Sequence, residues 1–390
     1  MNKPPYSVPS MQEVEAIRGT NGLSVVSTFS GCGGSCLGFE MAGYNVQYAV
    51  EFVPAAQSVY RLNHPDAYLD TRDVREITAG DILNKLGMSV GELDVFEGSP
   101  PCSAFSTAGS RSKGWGSIKK YSDTEQRVED LFFEYARLLE GLMPRVFVAE
   151  NVAGLVKGVA KGYFIEILRR LKAIGYNVEA RVLDAQWLGV PQRRQRLIFI
   201  GVRDDLDRAP VYPKPLPYQY SLREVCPWIT RAVHDTSGIM STGEYTDKPS
   251  PTITVSGGAA HIHHKIYGDE PQSISEGPSF EGHAIYDEWI KLRPGEWSNK
   301  FFSLTRANPN RPSPTITAMA GNVGLAGVTH PTAPRKFSIA ELKRICSFPD
   351  DFQLTGTYQQ QWERLGRSVP PLMMRAVAEV LRDEVLQCAE

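Results

Sequence analysis

The 390-residue chain has no run of about 18 consecutive apolar residues, so nothing in it reads as a membrane span. Its first residues, MNKPPYSVPSMQEVE, lack the apolar stretch of a signal peptide. A charge excess is missing too. Lys and Arg number 42 against 44 Asp and Glu, for a net charge of −2. No chain-wide basic excess announces a polyanionic partner, although a local basic face fits inside a neutral total. Paired cysteines are also absent. The six lie at positions 32, 36, 102, 226, 346 and 388, and only Cys32 and Cys36 are close. A C-x3-C without a second pair is a poor signal for a metal or a disulfide framework. Together these absences suggest a soluble chain of a reducing, cytoplasmic compartment that makes no use of a membrane. With 42% hydrophobic residues the chain is long enough for two domains.

What is present is a repeating pattern. Between about residues 22 and 203, apolar runs (23–30, 45–52, 93–99, 145–151, 177–185 and 196–203) alternate with amphipathic stretches such as 127–142 and 163–175. Near-continuous apolar strands separated by helices imply an α/β fold, a doubly wound, mostly parallel sheet covered on both faces. After Arg203 the texture turns to Pro, Gly, Ser and Thr, with His234, His261, His263, His264 and His283, and helical periodicity fades. This part is expected to form a smaller irregular or β-rich domain. It holds a partial repeat, KPSPTIT at 248–254 and RPSPTIT at 311–317. Helical patterns return at FSIAELKRICSF (337–348) and in the last residues, 371–387.

Several short stretches carry chemistry. STFSGCGGSCLGFEMAG puts Gly31, Gly33 and Gly34 between a strand and a helix, where backbone N–H groups can meet a ligand. About twenty residues on, the second strand ends in Glu51, suited to bonding ribose hydroxyls. The pair points to an adenosine-containing cofactor, either a dinucleotide or S-adenosylmethionine. EGSPPCSAFSTAG (97–109) places Cys102 just past the carboxyl end of a strand, behind a proline that fixes the backbone. A buried structural thiol is the ordinary fate of a lone cysteine. Here, however, two prolines precede it, and a Ser/Gly-rich, basic stretch resembling a lid follows, with Arg111, Lys113, Lys119 and Lys120. Glu150 in AENV sits at another strand end. Arg194 and Arg196 in PQRRQR share one face of an extended segment. Taken singly, each reads equally well as a surface charge.

In this order, FSGCGGSCLGFEMAG, Glu51, Asp73-Val74, PPCSAFS, ENV, QRRQR, RPSPTIT and FSIAELKRICSFPDDF…LGRSVPP resemble the C5-cytosine DNA methyltransferase family over nearly the whole chain. The resemblance implies a catalytic and cofactor-binding domain of residues 21–203 plus 363–390, with a target-recognition domain at 204–362. It implies Cys102 as nucleophile toward cytosine C6, Glu150 as general acid at N3, and Arg194 and Arg196 beside the site, Arg196 toward O2. It also implies a target cytosine flipped out of double-stranded DNA beneath a lid at 103–120. For S-adenosylmethionine it implies Phe29 and the turn of Gly31, Gly33 and Gly34 around methionine and adenosine, and Glu51 on the ribose. Asp73 and Val74 would lie near the adenine amine, Phe52 and Pro100 would flank the ring, and Arg367, Ser368 and Val369 would close the site. No metal is expected; the HIHH run at 261–264 fits a DNA-contacting loop better. A monomeric prokaryotic or phage-encoded enzyme with a partner restriction endonuclease is the expected setting.

The sequence departs from the family pattern in places. Ser99 and Ser103 replace the usual Gly and Gln, both small changes. Arg367 replaces the asparagine of the closing Gly-Asn-Ser/Ala-Val motif. A cation about 5 Å from a sulfonium costs about 3 kcal/mol at an effective dielectric near 20. One reading turns Arg367 away to a phosphate or a local carboxylate. Another is an impaired enzyme. The third has Arg367 bind carboxy-S-adenosylmethionine, so that 5-carboxymethylcytosine is made. The rival readings are an ordinary DNA (cytosine-5-)-methyltransferase of a restriction-modification system, a non-catalytic DNA-binding relative, and a nicotinamide-dependent oxidoreductase. The last shares the glycine turn but leaves PPC, ENV and QRRQR unexplained.

Overall fold

A computed structural model describes residues 3–101, 119–121, 124–126, 131–157, 160–230, 239–241, 252–254 and 277–387. Cys102, nearly all of the 103–120 stretch, the first half of the 249–254 PSPTIT copy and the HIHH run lie outside the described residues.

Seven strands form the central sheet: β1 (Ser24–Thr28), β2 (Asn45–Val50), β3 (Tyr68–Asp70), β4 (Val95–Gly98), β5 (Val146–Val152), β6 (Tyr176–Asp184) and β7 (Gln195–Arg203). Their order is β3-β2-β1-β4-β5-β7-β6. β3, β2, β1, β4 and β5 run parallel, whereas β7 pairs antiparallel with both β5 and β6. The mostly parallel α/β architecture expected from the sequence is therefore present. β3 is an addition, since three residues are too few to show a period.

Alternate residues of each strand feed opposite faces, as the pleat requires. Val26, Phe96, Phe147, Ala149, Leu197 and Phe199 pack under helices α4 (Ala79–Leu86), α5 (Leu131–Leu142) and α6 (Ala160–Ala173). Val25, Val95, Val146, Val148, Ile198 and Ile200 pack on the other side, against α2 (Gly34–Met41), α3 (Pro54–Asn63) and α9 (Pro371–Leu381). This dense apolar filling explains why the strand runs read as almost continuously hydrophobic.

A third cluster joins the two halves of the sequence. Leu37 and Met41 of α2 meet Leu342 and Ile345 of α7 (Ile339–Ile345), together with Trp362 and Leu365 of α8 (Tyr358–Arg367). The domain boundary expected between 362 and 363 falls inside α8. Both helices open on capping boxes, Ser338 with Glu341 and Thr357 with Gln360, which answer first-turn N–H groups. The segment around 280–304 has a small core of its own, including Phe280, Ile285, Trp289 and Leu304. It is largely irregular, with one short parallel pair, Thr305–Arg306 beside Val328–Thr329. Among the described residues no helix is long and apolar enough to cross a membrane.

Candidate active site

The carboxyl ends of β1, β2, β4 and β5 open into a cavity of about 1110 Å³. The turn after β1 forms its floor. Phe29, Gly31 and Gly33 all take positive φ (56°, 58° and 90°), and the two glycines do so without a Cβ penalty. A Cβ on Gly34 would stand 2.4 Å from the Val369 carbonyl, so the closing turn rests directly on backbone here. Gly33 has a different constraint: a Cβ there would lie 2.1 Å from His64 Nε2. Gly31 and Gly34 reach the cavity wall; Gly33 is not on it.

Glu51 ends β2 almost fully buried, at 7% exposure. Its Oε2 accepts from the Gly31 N–H at 2.7 Å and its Oε1 from the Val53 N–H at 2.7 Å. Burial raises its pKa, and these backbone N–H groups and the Arg364 charge only partly offset that. The carboxylate thus joins the glycine turn to the next helix while spare lone pairs face the cavity. Phe29, Phe52, Val74 and Pro100 give apolar wall on the same side. A flat aromatic base, a ribose and a charged tail all find matching surface here, so the residues fit an adenosine-containing cofactor. Asp73 does not reach the wall. Its carboxylate accepts from the Arg75 N–H at 3.1 Å and pairs with the Arg75 guanidinium at 3.0 Å, capping the turn that carries Val74.

Across the cavity, Arg196 Nε lies 2.7 Å from Glu150 Oε1. The antiparallel register sets up this pair, since Glu150 sits opposite Ile198 and Val152 opposite Arg196. Burial lowers the Arg196 pKa and the Glu150 carboxylate opposes that. Arg194, two residues earlier, is only 1% exposed. Its guanidinium donates to the carbonyls of Ile316 (3.1 Å), Gly366 (2.9 Å) and Ser368 (3.0 Å). Burial first, then the Arg196 charge, press its pKa down. Its known partners are therefore backbone, and it ties RPSPTIT and LGRSVPP to β7. Among the described residues no group of three His, Cys, Asp or Glu is arranged to hold a metal ion.

The profile of the C-5 cytosine-specific DNA methylase family matches residues 23–383. The chain belongs to this family. It is 30% identical to the Type II methyltransferase M.DdeI of Desulfomicrobium norvegicum, over 92% of this chain and 88% of that one. It is 29% identical to M1.HphI of Haemophilus parahaemolyticus, over 92% and 86%. A crystal structure of an E. coli prophage-encoded candidate DNA modification methyltransferase matches with a TM-score of 0.66 at 23% identity, covering 92% of this chain and 98% of that one. A Spodoptera frugiperda DNMT2 structure matches at 0.57 and 17% identity, covering 92% and 98%. These two likenesses concern the fold.

Two buried side chains near the cavity carry more than their sequence context suggested. Asn151, buried next to Glu150, donates from Nδ2 to the Pro100 carbonyl at 3.1 Å and anchors the backbone leading to Cys102. Gln192, fully buried, accepts from the Ile316 N–H at 3.2 Å and donates toward the Ile345 carbonyl at 3.4 Å. Both stand inside motifs already noticed, ENV and PQRRQR, so their neighbours were the available signal.

Arg367 ends α8 and lines the cavity with Ser368 and Val369. Its Nε donates to Glu363 Oε1 at 2.8 Å, one helical turn back. Glu363 also pairs with Arg364, which lines the same cavity, at 3.2 Å. A local carboxylate therefore engages this arginine, as one of the sequence readings allowed.

Proposed function

We propose that this chain methylates C5 of cytosine in double-stranded DNA, with S-adenosylmethionine, the methyl donor of its family, held in the cavity. The observation that carries the reading is one cavity lined by three things at once. These are the Glu51 cradle, the Glu150–Arg196 pair, and the Pro100–Pro101 run whose next residue is Cys102.

The chemistry follows from what cytosine lacks. Its C5 is a weak nucleophile, and addition of the Cys102 thiolate to C6 makes C5 the carbon of an enamine. Glu150 bonds the ring N3 and helps C6 accept the sulfur, while Arg196 holds that carboxyl in place and reaches toward O2. The bound cofactor supplies an electrophilic methyl on a sulfonium. Held against the Glu51 cradle and the glycine turn, the donor would give its methyl to C5 and leave as the neutral thioether. Loss of the C5 proton to a base and departure of the Cys102 thiolate then restore the aromatic ring. Arg194 acts as a positioning residue through its three carbonyls. A cytosine inside a duplex is out of reach, so it is flipped into the cavity. Residues 204–362 supply target recognition, and Arg193, the exposed arginine of QRRQR, meets the phosphates. The Type II relatives favour a modification enzyme paired with a restriction endonuclease.

The test is covalent capture on 5-fluorocytosine DNA with S-adenosylmethionine present. A stable adduct is expected, lost in Cys102→Ala. Methyl transfer that survives Cys102→Ala overturns the assignment, and a wild-type chain that binds DNA but neither traps nor transfers is a non-catalytic relative.

A second reading concerns the transferred group, and Arg367 on the cavity wall favours raising it. Glu363, shared with Arg364, partly offsets its charge, which favours an ordinary sulfonium cofactor. Carboxymethyl transfer from carboxy-S-adenosylmethionine requires the guanidinium to bind the cofactor carboxylate while its Nε–H is given to Glu363. Nucleoside mass spectrometry with both cofactors offered decides it. 5-Carboxymethylcytosine that disappears in Arg367→Asn supports this reading, and 5-methylcytosine alone excludes it.

A further inference from the structure

Behind the cofactor side of the cavity lies a carboxyl group with no part in the chemistry above. Glu97 stands on β4 and is 1% exposed. Ser27 of β1 donates to its Oε1, Ser35 in the first turn of α2 donates to its Oε2 at 2.9 Å, and the Cys36 thiol lies 3.8 Å from Oε1. Ser27 Oγ is 2.8 Å from Ser30 Oγ. Ser30 and Ser35 both line the cavity. Glu97 is therefore one hydroxyl away from the cofactor wall on one side and two on the other.

Every hydrogen-bond partner of this buried carboxyl is neutral. Among the described residues, the arginines beyond them pair with the other carboxylates of the cluster, Arg196 with Glu150 at 2.7 Å and Arg18 with Glu40 at 3.2 Å. On α3, Tyr60 donates to the Cys36 sulfur at 3.4 Å. Tyr135 faces Glu97 from α5, and the carboxylates of Glu150 on β5 and Glu40 on α2 belong to the same cluster. Burial first, then Glu150, push the Glu97 carboxyl up to about 7 against the bonds from Ser27 and Ser35. An apolar or small residue would pack at a strand centre without this cost. A methyl donor and its spent product share the adenosine and the amino-acid group, and differ by one positive charge on sulfur.

We propose that Glu97 is a specificity-determining residue of the cofactor site, favouring the sulfonium donor over the neutral thioether product. The proposal rests on the cavity being the S-adenosylmethionine site. As the donor binds, the neutral Glu97 carboxyl releases its proton to solvent and the remaining carboxylate faces the sulfonium through Ser35. Linkage makes the effect reciprocal, so the donor's advantage over the product grows as pH rises through the Glu97 titration.

The test is calorimetric binding of S-adenosylmethionine and S-adenosylhomocysteine to the full chain, in two buffers of different ionisation enthalpy, from about pH 6 to about pH 8. Proton release with the donor is expected near neutrality. The donor-to-product affinity ratio is expected to rise about fivefold over that range, which corresponds to the sulfonium lowering one carboxyl pKa by about one. Glu97→Gln, which keeps an amide oxygen for the serines, is expected to bind both ligands with a ratio that no longer changes beyond the titration of the ligands themselves. Ser35→Ala removes a donor to the carboxylate and is expected to move the midpoint to higher pH. A Glu97→Gln chain with the wild-type pH dependence overturns the proposal. If that chain does not fold, an unmoved midpoint in Ser35→Ala overturns it instead. Failure of both ligands to bind the wild type overturns the cofactor reading itself, whereas binding of both with a flat ratio overturns only the role of Glu97.

Discussion

The Arg196–Glu150 contact shows how a single residue serves both orientation and charge. With Arg196→Ala, the Glu150 carboxyl loses the guanidinium at 2.7 Å and its fixed direction. Methyl transfer in a single turnover is expected to fall by about 10²–10⁴, the usual worth of a positioned general acid, with S-adenosylmethionine affinity changed less than about threefold. Gly33 is a residue-scale requirement of another sort. Gly33→Ala puts a Cβ 2.1 Å from His64 Nε2 at a φ of 90°. A loss of about 2–4 kcal/mol is expected in denaturant unfolding. The sequence presented Gly33 as one of three cofactor glycines, yet its constraint is a neighbouring imidazole some thirty residues along the chain, which no local pattern reveals. Asp73 is similar: a carboxylate near the right strand, turned to its own Arg75.

Among elements, the decisive ones are β7 and the two segments it holds. Arg194 donates to carbonyls of both RPSPTIT and LGRSVPP. Arg194→Met keeps most of the volume and leaves three carbonyls without that donor. A destabilisation of about 3 kcal/mol or more is expected in thermal or denaturant unfolding, together with weaker binding of S-adenosylmethionine, whose proposed site includes the closing turn. The strand runs were visible because burial on both faces demands apolar residues throughout. The direction of β7 was not, since an antiparallel strand buried on both faces carries the same apolar run as a parallel one. α8 crosses the expected domain boundary because Trp362 and Leu365 pack in one cluster with α2 and α7.

At the scale of the whole molecule, a buried carboxyl in the sheet makes stability depend on pH. Glu97 is raised from an ordinary value near 4.5 to about 7. Between those values the folded chain holds a proton that the unfolded chain has lost. Above them both are ionised and the fold bears the burial cost. Stability from this group is therefore fully present at low pH and lost as pH rises toward about 7, by an amount on the order of 3 kcal/mol. Glu97→Gln has no such titration. Its melting temperature relative to wild type is expected to rise between about pH 5 and about pH 8, and a constant difference across that range contradicts the assignment.

The sequence alone determined the sheet class, the order of its motifs and the family, because apolar periodicity and motif spacing are local properties that survive without coordinates. The residues proposed for the chemistry, Cys102, Glu150, Arg196 and Glu51, were named from their motifs alone. Only the tertiary structure decided which of the described groups share a cavity and what each one touches. Pairing depends on strand register, on helices that meet from distant parts of the chain, and on which charges burial leaves facing one another. Arg367 illustrates the division. Its oddity was plain in LGRSVPP, but its bond to Glu363 follows from a helix that sets the two side chains one turn apart, with Arg367 on the cavity wall.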